Sequence, residues 1–365
     1  MKNNEQKITN NKWNWLYFAG LYIILALPVI TLPPWFYPPD WGKTIIFRSI
    51  LAMLLFAFAY QFLYKRNELS LPNIKHNKTI WALAGLFLIY FISSIFSVDS
   101  YFSFWASPYR GGGFVTFAFY FVFAILTFIF FKKDNWNMAW IISISTGILV
   151  SLIAIFQYFG ILNTIFISVS SRPGSTIGNP IFLGIYLLLL FFPTLSFAVK
   201  EYSSEHRQNK YLKIFYISSL LIFLYTILLT GSRAAYLGII AGISCFLLLY
   251  PKKLKKLKIC LGLFLVTVFS VVLYVNIQPE LPKILQNRIT QEIAGRLSIK
   301  ALNKEERFRA WQTTIEVIKD KPVLGWGPEN LSVGFDKNYD PNITWSPWWD
   351  KAHNVFLDIG TQTGI

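Results

Sequence analysis

The stretch IFYISSLLIFLYTILLTGSRAAYLGIIAGISCFLLLY, residues 214–250, decides the fold. Its side chains are mostly apolar, and its one charged side chain is Arg233, which follows directly on Gly231 and Ser232. A helix of about 20 apolar residues crosses the ~30 Å hydrocarbon core of a bilayer. The stretch therefore predicts two membrane-spanning helices joined by a tight turn at Gly231 and Ser232, with Arg233 opening the second helix.

The rest of the chain has the same character. Of its 365 residues, 54% are hydrophobic and only 14% are charged, whereas about a quarter of the residues in a soluble domain are charged. Nine stretches are long and apolar enough to span a bilayer: 13–32, 44–64, 79–97, 112–131, 138–159, 181–199, 211–230, 234–250 and 257–276. A tenth begins near His353 and reaches only to Ile365, which is too short to span.

We therefore predict an all-α, polytopic helical membrane protein with nine full transmembrane helices plus a truncated tenth. Residues 1–276 are expected to form the transmembrane bundle, and residues 277–352 a large extracytoplasmic loop between spans nine and ten. Residues 353–365 are expected to begin the truncated tenth helix. The loop itself predicts two amphipathic helices, 283–302 and 306–321, because apolar residues recur in it at helical spacing; each fits packing against either the membrane surface or the bundle.

The positions of lysine and arginine predict the orientation. Lysine is concentrated in five segments that fall on one side of the membrane: 1–12, 65–78, 132–137, 200–213 and 251–258. Cytoplasmic loops carry such an excess of basic residues, so we expect a multi-pass protein of the cytoplasmic (inner) membrane with a cytoplasmic N-terminus. The net charge of +16 is then explained by anchors at the lipid surface, and no nucleic-acid partner is expected.

Several classes of enzyme lose support from missing motifs. The chain contains no CxxC pair, no HExxH, no GxxxxGK[ST] loop and no GxSxG elbow. Its two cysteines, Cys245 and Cys260, both fall within predicted spans and fit small packing residues. Hydrolysis by zinc or by an activated serine, and transport driven by a P-loop nucleotidase, are therefore not favoured.

On the opposite, extracytoplasmic side, each connection from the third predicted helix onward carries arginine. The arginines taken as site candidates are Arg110, Arg172, Arg233, Arg307 and Arg309. The positive-inside bias opposes them, so another benefit is expected to retain them. A guanidinium group keeps its charge and offers a planar fork of donors that fits phosphate or carboxylate oxygens. We expect these arginines to converge on an anionic group at the membrane surface.

Two interpretations fit the Arg233 turn when it is considered alone. The guanidinium group could reach the lipid headgroups along its own apolar stem. Alternatively, it acts together with the backbone N–H groups at the start of its helix, which form a binding site for phosphate oxygens. Ser232 fits equally well as part of that site or as the N-cap of the helix.

Four segments resemble, in this order along the chain, the O-antigen ligase and polymerase superfamily. They are RPGSTIGNPIFLGIYL (172–187), TGSRAAYLGI (230–239), RFRAWQTTIEVIKDKPVLGWGPENL (307–331) and KAHNVFLDIGTQTGI (351–365). They carry an Arg…Gly-Asn-Pro entry to a helix, a Ser-Arg pair, an Arg-x-x-x-Trp…Asp-x-Pro…Gly-x-Gly block and a His-Asn pair. Ile181 and Gln362 depart from the family pattern, which frequently has Asn and Glu there, so no carboxylate role is assigned to position 362.

The resemblance implies a helical membrane glycosyltransferase fold (GT-C-like) and a reaction on the extracytoplasmic face. Such enzymes transfer a glycan from a polyprenyl-pyrophosphate donor to a hydroxyl of a glycan, lipid or protein acceptor. The resemblance implies catalytic roles for His353, Arg233 and Arg307. The substrate-binding candidates are Arg172, Arg110, Ser232, Asn354 and Arg309, of which Arg309 lies outside the family pattern.

The chemistry agrees with this expectation. A sugar–pyrophosphate bond breaks readily once the charge of the leaving group is stabilised, which fixed arginines can do as preorganised electrostatics. Histidine, with an ordinary pKa near 6.5, fits the general base that deprotonates the acceptor. No acidic DxD-like cluster lies in the extracytoplasmic segments, so we expect neither a metal nor a cofactor.

Other interpretations remain open. His353 also fits a structural histidine at the membrane interface, and the aromatic group Trp345, Trp348 and Trp349 fits either stacking on sugars or interfacial anchoring. The alternative function is a polytopic transporter or flippase of a lipid-linked or anionic substrate. Transporters usually place their charges at the bilayer midplane, in helices broken by glycine or proline, whereas the charges here gather at one membrane edge.

Overall fold

The computed structural model describes most of the chain, and every element in the described residues is helical. The described residues are 13–31, 39–107, 111–161, 172–203, 209–249, 255–277, 291, 294, 306–344 and 348–365. No strand occurs among them, so the all-α class predicted from the sequence is confirmed for this part of the chain.

Thirteen α-helices are described. They are α1 (Asn14–Ala26), α2 (Pro39–Tyr64), α3 (Lys78–Ile95), α4 (Ser100–Trp105), α5 (Phe114–Phe130), α6 (Lys133–Tyr158), α7 (Pro180–Ser203), α8 (Lys210–Thr230), α9 (Arg233–Leu249), α10 (Lys255–Ile277), α11 (Glu306–Asp320), α12 (Leu331–Lys337) and α13 (Val355–Thr363). Short 3₁₀ turns lie at Leu27–Val29, Arg66–Glu68 and Ser175–Ile177.

Each of the nine predicted spans corresponds to one of these helices. Six helices in the described residues, α2, α3, α6, α7, α8 and α10, are long and apolar enough to cross a membrane. The other three, α1, α5 and α9, are apolar but shorter. The chain is thus a multi-pass helical membrane protein, while the count of nine full spans stays a prediction.

The chain divides into two compact units. Unit 1 combines Met1–Leu27, Trp41–Ala139 and Glu305–Ile365, and unit 2 combines Pro28–Asp40 and Trp140–Lys304. The division predicted from the sequence followed membrane topology rather than packing, and it stays a prediction.

Unit 1 joins α11, α12 and α13 through a small core of their own. Ala310, Val317, Trp326, Leu331 and Phe335 are buried there. The predicted helix at 306–321 is confirmed by α11; of its apolar residues Ile318 is buried, whereas Ile315 is 43% exposed. The buried face includes Thr313 and Thr314 instead, because it turns toward α12 and α13. The other predicted amphipathic helix, 283–302, lies outside the described residues apart from 291 and 294.

Unit 2 is built on close packing of α7 against α8 and α9. A Cβ atom added at Gly238 of α9 would lie 2.4 Å from Leu188 of α7, and one added at Gly242 would lie 2.0 Å from Phe192 of α7. Without a strong hydrophobic drive between helices in lipid, small residues that let backbones approach are a main source of contact. The two glycines therefore fix where α9 begins relative to α7, and with it the position of Arg233 within this unit.

Candidate functional site

The Arg233 turn of unit 2 is held by its own backbone. Gly231 ends α8 in the left-handed conformation, with φ of 61°, which glycine adopts without cost. The Ser232 hydroxyl then accepts a hydrogen bond from the Ala235 N–H at 3.4 Å, and the Ser232 N–H donates to the Thr230 hydroxyl at 3.3 Å. In the structure Ser232 is thus a buried N-cap of α9. Arg233 follows as the first, half-buried residue of that helix.

Arg172 reaches the same turn from another loop. Its Nη1 atom donates to the carbonyl of Thr230 at 3.5 Å, three residues before Arg233. The loop behind Arg172 is fixed by Ser175, whose hydroxyl donates to the Val150 carbonyl at 2.6 Å. Unit 2 therefore brings together three of the predicted site residues, Arg172, Ser232 and Arg233.

The main chain just before His353, in unit 1, is held by two hydrogen bonds to Ala352. The Ala352 carbonyl accepts from the indole N–H of Trp311 at 2.8 Å, and the Ala352 N–H donates to Asp358 Oδ1 at 2.8 Å. Next to it, His353 has a positive φ of 53° and an exposed side chain. Its ring meets that of Trp349 edge to face, with the ring centroids 5.8 Å apart.

Asn354 and Arg307 belong to the two helices next to this arrangement, α13 and α11. The Asn354 side chain accepts from the Phe356 N–H at 3.1 Å and caps α13. Arg307 lies half-buried in the first turn of α11, four residues before Trp311 and therefore on the same face of the helix. Trp311 thus connects the helix that carries Arg307 to the residue before His353.

Two other predicted arginines are placed differently. Arg309 is 60% exposed and pairs with Glu306 at 3.7 Å, one turn back on α11. Arg110 lies outside the described residues. The expectation that all the arginines converge on one anion stays a prediction, because Arg172 and Arg233 belong to unit 2 and Arg307 and His353 to unit 1.

The structure also reveals charged residues that were not predicted as site residues. Glu329 is buried, has a positive φ of 66°, and forms an ion pair with Lys351. Arg48 of α2 donates to the Thr116 hydroxyl and lies beneath Gly111, where a Cβ atom would be 3.3 Å from its Nη2 atom. The sequence marks Glu329 and Lys351 only by their neighbours: Glu329 follows the Gly-x-Gly turn, and Lys351 opens the His-Asn segment.

The described residues contain no group of three or more His, Cys, Asp or Glu side chains that would hold a metal ion. The predicted site residues in the two units offer guanidinium groups, the His353 imidazole and the backbone N–H groups of helix starts. These groups suit an anionic ligand and a proton acceptor.

Fold and site together define a multi-pass helical membrane protein that carries arginine and histidine side chains at the starts of its helices. Comparison with known proteins narrows this class further. Residues 218–365 match the O-antigen ligase family, which confirms the resemblance predicted from the sequence. The match includes Arg233, Arg307 and His353.

Two curated relatives come from Acinetobacter baylyi. A ComP-specific O-oligosaccharyltransferase is 24% identical over 239 residues, which is 64% of this chain and 39% of the relative. A general O-oligosaccharyltransferase is 25% identical over 237 residues, which is 60% of this chain and 38% of the relative. The similarity thus spans about two fifths of the length of each relative.

Proposed function

We propose that this protein is a glycosyltransferase of the O-antigen ligase type. It transfers a glycan from a polyprenyl-pyrophosphate donor to an acceptor hydroxyl, on the extracytoplasmic face of the cytoplasmic membrane and without a metal. The family match and the transferase names of the relatives support the reaction class. The acceptor is a hydroxyl of a glycan, a lipid or a protein.

One observation carries the proposal. All three residues proposed as catalytic lie in the matched region, two of them in the first turn of a helix and the third just before a helix. Arg233 is the first residue of α9, Arg307 the second residue of α11, and His353 lies two residues before α13. Helix starts present unpaired N–H groups and the positive end of the helix dipole, which stabilise anions. This is the environment that a diphosphate leaving group requires.

The roles follow from the bonds that change. The acceptor oxygen attacks C1 of the donor sugar, and the bond from C1 to the diphosphate oxygen breaks. His353 takes the proton of the acceptor hydroxyl as general base. Arg233 and Arg307 neutralise the charge that develops on the departing polyprenyl diphosphate. Arg172, Arg110, Ser232 and Asn354 help to bind substrate, with Arg309 at most a peripheral contact because its side chain is exposed and paired with Glu306.

The first prediction concerns these side chains. Arg233→Ala, Arg307→Ala and His353→Ala are each expected to lower the transfer rate at least about 100-fold, since each removes a charge stabiliser or the base. The measurement is transfer from a synthetic lipid-linked glycan in nanodiscs, with membrane insertion quantified for every variant.

Arg309→Ala is the matched control, because Arg309 lies on the same helix as Arg307. This variant is expected to lose little of the transfer rate. Full activity in all three test variants, inserted at wild-type levels, would discard the catalytic roles of Arg233, Arg307 and His353. Absence of transfer by the wild-type protein would instead contradict the enzyme assignment and favour the alternative of a transporter or flippase, which the same nanodiscs can test by donor translocation.

The second prediction concerns the metal. Transfer is expected to persist in excess chelator, because arginines rather than a divalent cation stabilise the leaving diphosphate. The check is the initial rate with and without chelator, followed by addition of Mg²⁺ or Mn²⁺. A rate that disappears with chelator and returns with either ion would contradict the metal-free mechanism.

A further inference from the structure

A buried turn precedes α12 and carries an acidic side chain in an unusual backbone conformation. Glu329 has φ of 66°, a left-handed value that costs a residue with a Cβ atom about 1 kcal/mol or more. Both of its neighbours are bonded to Ser103: the Ser103 hydroxyl donates to the Pro328 carbonyl at 2.9 Å and accepts from Asn330 Nδ2 at 2.7 Å. The flanking contacts therefore impose this conformation on Glu329.

The Glu329 carboxylate is directed at one partner. Its side chain is only 6% exposed, and Lys351 Nζ donates to its Oε1 atom. A Cβ atom at Gly112 would lie 2.5 Å from the same oxygen, so the absence of a side chain at Gly112 leaves the room that this carboxylate occupies. A buried charge is costly unless it is paired, and Lys351 provides the pairing.

The ion pair is two residues away from His353 along the chain. The side chain of Lys351 is bound to Glu329, and the backbone of the next residue, Ala352, is bound on both sides by Trp311 and Asp358. His353 follows with its positive φ of 53°. The two residues before His353 are thus both fixed: Lys351 by an ion pair, and Ala352 by two hydrogen bonds.

On the basis of the proposed function, we infer that Glu329 is a positioning residue for the transfer reaction. Acting through Lys351, the carboxylate fixes the main chain that presents the His353 imidazole to the acceptor hydroxyl. Glu329 itself does not contact substrate. A base that moves by about 1 Å loses much of its effect on the transition state, while donor binding is left intact.

The test measures kcat and the donor KM separately in nanodiscs for wild type, Glu329→Gln and Glu329→Asp. Glu329→Gln keeps the shape but removes the charge, and it is expected to lower kcat about 10- to 100-fold with the donor KM unchanged. Glu329→Asp keeps the charge and is expected to recover part of kcat. The matched control is Glu316→Gln, which removes an exposed carboxylate from a similar pair with Lys319 and is expected to leave kcat unchanged.

A double mutant separates positioning from a purely structural role. In the His353→Ala background, Glu329→Gln is expected to cause no further loss of the residual transfer rate, because the two residues act in series. A loss that simply multiplies with that of His353→Ala would overturn the inference. So would a wild-type kcat in Glu329→Gln, or a change confined to the donor KM.

If Glu329→Gln does not fold, a second pair of variants, at Lys351, tests the inference. Lys351→Arg preserves the ion pair and is expected to keep a kcat near that of wild type, whereas Lys351→Gln is expected to lower it. Equal kcat values for the two variants would overturn the inference. If wild type itself shows no transfer, it is the proposed function that fails; if wild type transfers normally and the variants match it, only the role of Glu329 fails.

Discussion

Gly327 is a residue whose replacement the fold accommodates poorly. Its φ is 90°, and a Cβ atom would lie 2.1 Å from the Cβ atom of Ser97. Gly327→Ala is therefore expected to lower the free energy of unfolding by about 2 to 4 kcal/mol, through backbone strain and overpacking together. Thermal unfolding of the purified protein in detergent measures this change.

Gly262→Ala provides the comparison, because nothing lies within 4 Å of a Cβ atom at that position in α10. Its unfolding temperature is expected to equal that of wild type or to exceed it slightly, since alanine favours a helix over glycine. Equal stability of the two alanine variants would contradict the close contact between Gly327 and Ser97.

Residue-scale features of the site were predictable where the interaction is local. The Gly231 turn and the capping option for Ser232 followed from neighbouring residues alone, because a helix start is satisfied within its first turn. Glu329 was missed for the opposite reason. Its partner Lys351 is 22 residues further along the chain, and no sequence pattern predicts a left-handed φ at a glutamate.

At the scale of elements, α11 and α12 are connected at their C-terminal ends by Asp320. Its carboxylate accepts hydrogen bonds from Asn338 Nδ2 at 3.0 Å and from Lys337 Nζ at 2.9 Å. These two hydrogen bonds, that of Asn338 first, lower the pKa of Asp320 below its ordinary value of 3.8. The ionised carboxylate is therefore favoured in the folded protein.

This lowered pKa predicts how stability depends on pH. Because the folded state holds the Asp320 proton less tightly than the unfolded state, the contribution is present above about pH 3.8 and is lost as the pH falls through the lower folded pKa. Asp320→Asn is expected to unfold at a lower temperature than wild type at pH 7. The difference is expected to shrink as the pH falls below 3.8 through the lower folded pKa of Asp320.

Thermal unfolding of both proteins across this pH range is the measurement. The effect at pH 7 is expected to be modest, since Lys337 is 63% exposed and surface ion pairs contribute little. A difference that stays constant from pH 7 to pH 3 would contradict the role of the ionised carboxylate.

The positions of the helices were largely predictable from the sequence. Which side of each helix is buried was predictable only in part. All nine apolar stretches form helices, because length and apolarity are properties of one segment. The inward face of α11 depends instead on α12 and α13, which lie elsewhere in the sequence. This is why the sequence did not predict that Thr313 and Thr314 would be buried.

At the scale of the whole molecule, the chain combines two compact units that each draw on distant parts of the sequence. Unit 1 assembles the first helices with residues 305–365, a pairing that no local pattern predicts. The predicted orientation in the membrane, by contrast, depends on the basic residues of all the loops together. Lysine-rich segments alternate with segments that hold arginine, and such a bias sets topology through the many loops together.

The last prediction tests this orientation with single cysteines. Cys245 and Cys260 are free and exposed on their helices, so both are first replaced by alanine. Lys75→Cys and Asn342→Cys then place one exposed thiol each in the segments 65–77 and 340–344. If the N-terminus is cytoplasmic, a membrane-impermeant maleimide is expected to label Asn342→Cys in intact spheroplasts and Lys75→Cys only after the membrane is permeabilised. Labelling in the reverse order would invert the topology and would place Arg307 and His353 on the cytoplasmic side, where the proposed reaction does not occur.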